Sequence, residues 1–214
     1  MSVRVWTHRY VRDLQRLHLA QRLIAHGART QVIVEWTGLS VVQVRSLCRE
    51  FNTGTDGAVA ARHRGPSPSS LYPLLRSERW RNEAAGFIGL CYVLEAMPSV
   101  PVRNPRRELP NFTRGERLCR AYEIYRSLVP GRCLDFDRAL LLFTAVAQGT
   151  EIKAVGCECC GAVILRDVQG IGRWHCARCS EGAGSDLRIA PGSNSGWYRR
   201  SARGEPTDSG PQKR

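Results

Sequence analysis

From residue 10 to residue 149 the apolar positions recur every three or four residues, broken by Gly- and Pro-rich stretches. That period predicts a succession of helices. In YVRDLQRLHLAQRLIAHGA (10–28), Tyr10, Leu14, Leu17, Gln21, Ile24 and Ala28 recur at helical spacing, and Leu19 and Leu23 widen the apolar side. Arg9, Arg12 and Arg16 fall on another face. This amphipathic helix is expected to end near Gly27. A short helix then runs to about Trp36, Gly38 turns the chain, and Ser40 can cap a second helix by accepting from its free N–H groups. Val41, Val44, Leu47, Cys48 and Phe51 form the expected inner face of that second helix, while Gln43, Arg45, Ser46 and Arg49 largely point elsewhere. Helix, Gly turn, helix is the helix-turn-helix pattern. Ile33, Leu39, Val44 and Leu47 stand where its core residues belong relative to Gly38, and Val34 stands where a small residue is usual.

Residues 52–73 are rich in Gly, Pro and Ser and read as a loop. A helix from about Ser77 to Ala96 would turn Trp80, Ala84, Phe87, Leu90, Cys91 and Leu94 inward. Residues 97–111 hold four prolines and cannot be helical throughout. Thr113 and Glu116 form a capping-box pair, starting a helix to about Leu128 with Leu118, Ala121, Tyr122 and Tyr125 as its apolar side. Asp135 can cap the next helix, which stops at Gly149 and is apolar almost all round, so it should be buried.

A cysteine-rich segment follows, CECCGAVILRDVQGIGRWHCARC (157–179). Two C-x-x-C pairs at this spacing are the signature of a zinc site, because four thiolates must converge at about 2.3 Å from one ion. Cys157, Cys160, Cys176 and Cys179 fit that demand. Cys159 is the spare, since Gly161 completes a tight C-x-x-C-G loop behind Cys160. His175 is either a substitute ligand or a strand residue beside Cys176. AVIL (162–165) and RWH (173–175) are the expected strands of the hairpin, with GIG between them. An all-cysteine site has no open coordination position, so one structural Zn²⁺ per chain is expected rather than a catalytic one. Arg166, Arg173 and Arg178 flank it. Cys48, Cys91 and Cys119 fall on apolar helix faces and read as core; Cys133 has no assigned role.

The expected class is therefore mainly α. A helical domain with the helix-turn-helix-like unit occupies 1–150, and a zinc-ribbon-like hairpin bearing the four cysteines occupies 151–180. A basic tail, 181–214, has too few large apolar groups to order itself.

Net charge is +13, and 30 of the 32 basic residues are Arg, Lys153 and Lys213 being the exceptions. A basic chain favours polyanions, and the planar guanidinium suits phosphate and guanine edges. Gln43, Arg45, Ser46 and Arg49 are the first candidates for DNA contact, with Arg166, Arg173 and Arg178 second. Residues 1–12 lack the apolar stretch of a signal peptide, and no apolar run approaches bilayer thickness, so a cytoplasmic protein without a membrane partner is expected. Nine cysteines cannot all pair internally, and clustered cysteines in a reducing compartment point to metal. No phosphate-cradling loop, dinucleotide fingerprint or H-E-x-x-H motif is present, and no histidine has an evident acidic partner along the chain. An enzyme is not expected.

The order of these parts resembles the FlhC family of flagellar transcriptional activator subunits. The likeness rests on LIAHGARTQVIVEWTGLSVVQVRSLCREF (23–51), GPSPSS (65–70), AYEIYRSL (121–128), ALLLFTAVAQG (139–149) and CECCG with CARC. The stretches LYPLLRSERWRNEAAGF and PVRNPRRELPNFTRGE depart from the family, marking a divergent member. The resemblance implies a mainly helical zinc protein that joins FlhD in a heterohexamer of four FlhD and two FlhC. It implies binding to promoter DNA upstream of flagellar operons and recruitment of RNA polymerase. It also implies that Cys157, Cys160, Cys176 and Cys179 hold the zinc. The alternative expectation is a zinc-stabilised interaction subunit without direct DNA recognition.

Overall fold

The computed structural model of the chain describes residues 3–54, 67–169 and 175–181. These form helices α1 (Val3–Ala25), α2 (Thr30–Thr37), α3 (Val41–Gly54), α4 (Tyr72–Arg76), α5 (Glu78–Val93), α6 (Pro105–Glu108), α7 (Phe112–Leu128) and α8 (Phe136–Gln148). An antiparallel pair, β1 (Ile152–Gly156) and β2 (Val163–Asp167), and a last short helix, α9 (Ala177–Glu181), complete them. The mainly helical class with a small cysteine-bearing hairpin stands as expected. The tail expected over 181–214 lies outside the described residues except for Glu181.

The helix boundaries follow from local chemistry. Asp135 accepts from the Arg138 N–H (2.8 Å), and Gly149 closes α8 at φ 65°, so the apolar run between them is a complete helix. From Cys133 to Gln148 no residue is fully exposed, as an all-round apolar helix requires. Helix α7 starts earlier than expected. Asn111 is its cap, accepting from the Arg114 N–H, and Glu116 is drawn off to α1 instead of closing a box with Thr113. Among the prolines of 97–111, Pro105 sits in the first turn of α6, where its missing N–H costs nothing.

The core is continuous. Helices α5, α7 and α8 meet around Phe87, Tyr122, Tyr125 and Phe136, whose rings pack largely edge to face, while Phe143 of α8 meets Trp36 of α2. Ile152 and Ala154 of β1 belong to the same core, so the hairpin is packed on the helices rather than hung from them. Gly115 lets α7 approach α1 and α2: a Cβ there would stand 2.7 Å from Leu19 Cδ2 and 3.2 Å from Trp36 Cε3.

Helix α1 departs from its expected burial. Leu19, Ala20, Leu23 and Ile24 are buried, whereas Tyr10, Leu14 and Leu17 are exposed. Among the described side chains of α1, residues 9–25, full burial begins only at Leu19, and the buried side there is rotated away from the Tyr10–Leu17 stripe. Charged groups line the α1–α7 contact. Arg22 bonds both Glu116 and Glu123, His18 Nδ1 lies 3.3 Å from Glu116, and His26 Nε2 lies 3.2 Å from Glu123. Burial pushes the His26 pKa down despite Glu123, so the ring is neutral, stacked on Phe136 with its Nδ1 unpartnered among the described residues.

Glu83 ties the loop before α8 to α5. Its carboxylate accepts from the Tyr125 hydroxyl (2.8 Å), the Cys133 N–H (2.9 Å) and Arg79 Nε (3.1 Å). Burial raises its pKa, but the Cys133, Tyr125 and Arg79 donors outweigh that and hold it below the ordinary carboxylate value.

Two outcomes follow. Gly115→Val should cost about 1–3 kcal/mol by overpacking, read as a lower urea midpoint at unchanged slope. Glu83→Gln should cost about 1–3 kcal/mol near pH 7, because hydrogen bonds to a charged acceptor are lost. A carboxyl whose folded pKa lies below its unfolded value stabilises the fold above about pH 4, and that stability disappears as pH falls through the folded value. The gap between wild type and Glu83→Gln should therefore close on acidification, measured by urea unfolding from about pH 7 to about pH 3.

Candidate metal centre and basic helix face

Strands β1 and β2 run in register from Ile152↔Asp167 to Gly156↔Val163, so residues 157–162 form the turn of the hairpin. Within it the Cys157 N–H donates to the Ala162 carbonyl (2.8 Å) and the Gly161 N–H to the Cys157 carbonyl (2.9 Å). Gly161 takes φ 70°, a value that side chains resist, which is why the C-x-x-C pair is followed by Gly. The second pair comes from the start of α9: the Cys179 and Ser180 N–H groups donate to the Cys176 carbonyl at 3.0 and 2.9 Å.

The hairpin thus differs in pairing from the expected one. Val163–Leu165 is a strand, paired with 152–156; of the other expected strand, 173–175, residues 173 and 174 lie outside the described residues. The two segments flanking a short cysteine turn pair with each other, which leaves the second C-x-x-C free to arrive on a helix. His175 lies outside any strand, and Arg173 and the GIG stretch lie outside the described residues.

Cys157, Cys160, Cys176 and Cys179 place their sulfurs within 4.8 Å of one another. Four sulfurs at about 2.3 Å from a tetrahedral ion stand roughly 3.8 Å apart; Cys160 and Cys176 are 3.7 Å apart. Cys159 is exposed and outside this group, with its sulfur 3.4 Å from His175 Nδ1. The ring of His175 is thereby turned to the spare cysteine, and its Nε2 lies 3.9 Å from Glu158.

The electrostatics suit a cation. Burial disfavours the Cys157 thiolate, but the backbone N–H groups of Cys160, Cys176 and Cys159 point at its sulfur and bring its pKa down to about 6. The Ala162 N–H favours a thiolate at Cys160, yet burial and the adjoining thiols leave that group raised. Cys179 is raised by the sulfurs of Cys176 and Cys160 beside it. One thiolate forms readily and the next ones repel it, so all four can be thiolates together only with a positive ion between them. This donor set can hold a metal ion. A tight C-x-x-C-G loop lets backbone N–H groups turn toward sulfur, as its spacing implies; the donor from the second pair, the Cys176 N–H at 3.2 Å from Cys157 Sγ, was not legible there.

The remaining candidates lie elsewhere. Ser40 and Gln43 form a reciprocal capping box: the Gln43 N–H donates to Ser40 Oγ (3.3 Å), and the Ser40 N–H donates to Gln43 Oε1 (2.9 Å). Gly38 closes α2 at φ 69°, and Ile33, Leu39 and Val44 are buried as the helix-turn-helix pattern requires. Val41, expected inside, is exposed along with Val42, because the core covers α3 only from Val44 onward. Arg45 and Arg49 are exposed on the outer side of α3. Gln43 is committed to the cap and Ser46 to Glu50 (3.0 Å), so neither projects as an unoccupied polar group. Arg166 lies half-buried in a cleft of about 520 Å³ between α5 and the hairpin, whereas Arg178 is exposed on α9. The described DNA candidates therefore divide among three elements, α3, β2 and α9. Among the described residues no helix is long and apolar enough to cross a membrane.

Comparison with protein-family models gives no match to this chain, and neither does comparison with curated proteins.

Cys157→Ser and Cys176→Ser should each lose the metal and become protease-sensitive, since metal binding at such a site is coupled to folding. Cys159→Ser should keep it. Metal analysis of the three purified variants checks the assignment, and full metal content in Cys157→Ser would overturn it.

Proposed function

We propose that this chain is a DNA-binding subunit of a transcriptional activator of the FlhC type, acting in a hetero-oligomer with an FlhD-like partner at flagellar promoters and recruiting RNA polymerase there. The observation that carries this reading is the α2–Gly38–α3 unit. Its inner residues are buried, its second helix is firmly capped, and that helix presents Val42, Arg45 and Arg49 outward. The N-terminal end of a helix also carries partial positive charge, which suits approach to a phosphate backbone. A net charge of +13 supplies the long-range attraction. In this reading the four-cysteine centre holds one Zn²⁺, structural because four thiolates leave no position open.

The internal bonds of Gln43 and Ser46 favour a second reading. With Gln43 and Ser46 so engaged, the exposed Val41 and Val42 beside Arg45 and Arg49 suit a protein contact, and the chain would then be a metal-stabilised interaction subunit. A helix-turn-helix shape does not by itself entail DNA binding.

A salt titration of promoter binding by the assembled complex separates the two. If Arg45 or Arg49 contacts phosphate, its replacement by Ala should weaken all sequences alike and lower the salt slope by about one. If it reads a guanine edge, the loss should be about 1–3 kcal/mol on the cognate site, with relaxed specificity there. Unchanged affinity and slope in complexes that assemble normally would remove α3 as the reader and leave Arg166 and Arg178 to be tested.

A further inference from the structure

Cys159 is the one cysteine of the 157–179 segment that stands outside the four-sulfur group. It is exposed, and its sulfur lies 3.4 Å from His175 Nδ1. The two residues come from the two segments that carry the four thiols. Cys159 directly precedes Cys160, and His175 directly precedes Cys176. The sulfurs of Cys160 and Cys176 stand 3.7 Å apart. An ion held by the four cysteines therefore also holds Cys159 and His175 opposite each other, so their meeting does not have to be ordered afresh.

Their separation matches a shared ion of one geometry. A tetrahedral ion with a sulfur at about 2.3 Å and an imidazole nitrogen at about 2.0 Å keeps the two donors about 3.5 Å apart, whereas a linear two-coordinate ion keeps them about 4.3 Å apart. The 3.4 Å found here is the tetrahedral spacing. A plain S–H···N hydrogen bond has a similar length, so the surroundings decide. Glu158 places a carboxylate oxygen 3.9 Å from His175 Nε2. A carboxylate beside the far nitrogen is the usual companion of a metal-bound imidazole, because it favours the proton on that nitrogen and leaves the other to the ion. At this distance Glu158 acts through its charge and not through a hydrogen bond. Four thiolates around a divalent ion leave a local charge of about −2, which draws a further cation to the same end of the molecule.

We propose that Cys159 and His175 form a second metal site, for Zn²⁺ or another ion of the same borderline-soft, tetrahedral class, with water in the two remaining positions. This rests on the reading of the four cysteines as a metal centre and adds to it an ion of different behaviour. Two protein donors hold an ion less firmly than four. The His175 and Glu158 side chains are 29% and 53% exposed, so the second ion exchanges with solvent while the first stays. When bound, it is a second tie between the hairpin turn and the residues that lead into α9.

The test uses the full chain as purified. Metal analysis first establishes that one ion is bound, and Zn²⁺ is then titrated against a weak chromophoric chelator. Wild type should take up one further equivalent, and Cys159→Ser and His175→Ala should each lose that equivalent while keeping the first ion and the helical circular dichroism. With Co²⁺ as the added ion and the bound zinc still present, a thiolate-to-metal charge-transfer band should appear in wild type and be missing in Cys159→Ser. A wild-type chain that takes up no second ion would sink the proposal, as would a second equivalent that survives both substitutions. Loss of the first ion in either variant would also overturn it, since that residue would then belong to the four-cysteine centre. A chain purified without any ion would overturn the four-cysteine reading and this inference with it, whereas one tight ion and no second would overturn this inference alone.

Discussion

The closest constraint in the fold is the contact between α7 and α1 at Gly115. The absence of a side chain there lets Leu19 of α1 and Trp36 of α2 lie directly on the α7 backbone. Packed interiors do not leave room for an extra methyl at such a contact. Once α1 is fixed on α7, the position of the α2–α3 unit is fixed as well, since both helices pack on α1. The register is held from the side by Arg22 between Glu116 and Glu123. Part-buried ion pairs contribute little net stability, but removing one partner leaves the other charge uncompensated, so they disfavour a slipped register. The same crossing decides how much of α1 has a body beneath it, and therefore which of its apolar residues remain in water.

The hairpin is the second wall of the domain. Its β1 strand lends Ile152 and Ala154 to the core, and Val163 of β2 meets α5 at Gly89, where a Cβ would stand 3.7 Å from its methyl group. The four cysteines lie just beyond this contact, at the hairpin turn and the start of α9. An ion held there ties two segments together that have little apolar surface of their own. Small units of this kind commonly depend on a metal because burial alone is insufficient. The two basic regions serve different elements: Arg45 and Arg49 ride on α3, which α1 positions, and Arg178 rides on α9, which the cysteines position.

Legibility in the sequence varied with the locality of the cause. Helix α8 could be read almost to the residue, because Asp135 and Gly149 bracket an apolar run and both act within one turn. The α2–α3 unit and the four clustered cysteines were legible for the same reason: a Gly turn, a Ser cap and two fixed cysteine spacings are short-range facts, although the engagement of Gln43 in that cap was not read. The α1 face was misread. A stripe of apolar residues has the same period whether it meets its own core or points outward, and only the crossing with α7 settles which half is covered. The pairing of 163–167 with 152–156 was not read from the sequence, because it depends on contact across the cysteine turn. The acidic partners of His18, His26 and Arg22 were invisible, since they lie roughly a hundred residues away along the chain.

The order in which the parts leave the ribosome gives the hairpin a further consequence. Chains emerge N-terminus first at about 5–20 residues per second, and helical segments form far faster than that. Helices α5 and α8 are complete by residue 148, but the strands that cover their remaining apolar sides come next, and the last thiol of the cluster is Cys179. A nascent chain halted between these points carries finished helices with one side of the core still bare. Were the four sulfurs to hold an ion, its capture would come after the helices are made, and a chain starved of metal would be met by the quality-control machinery with its outer wall unlatched.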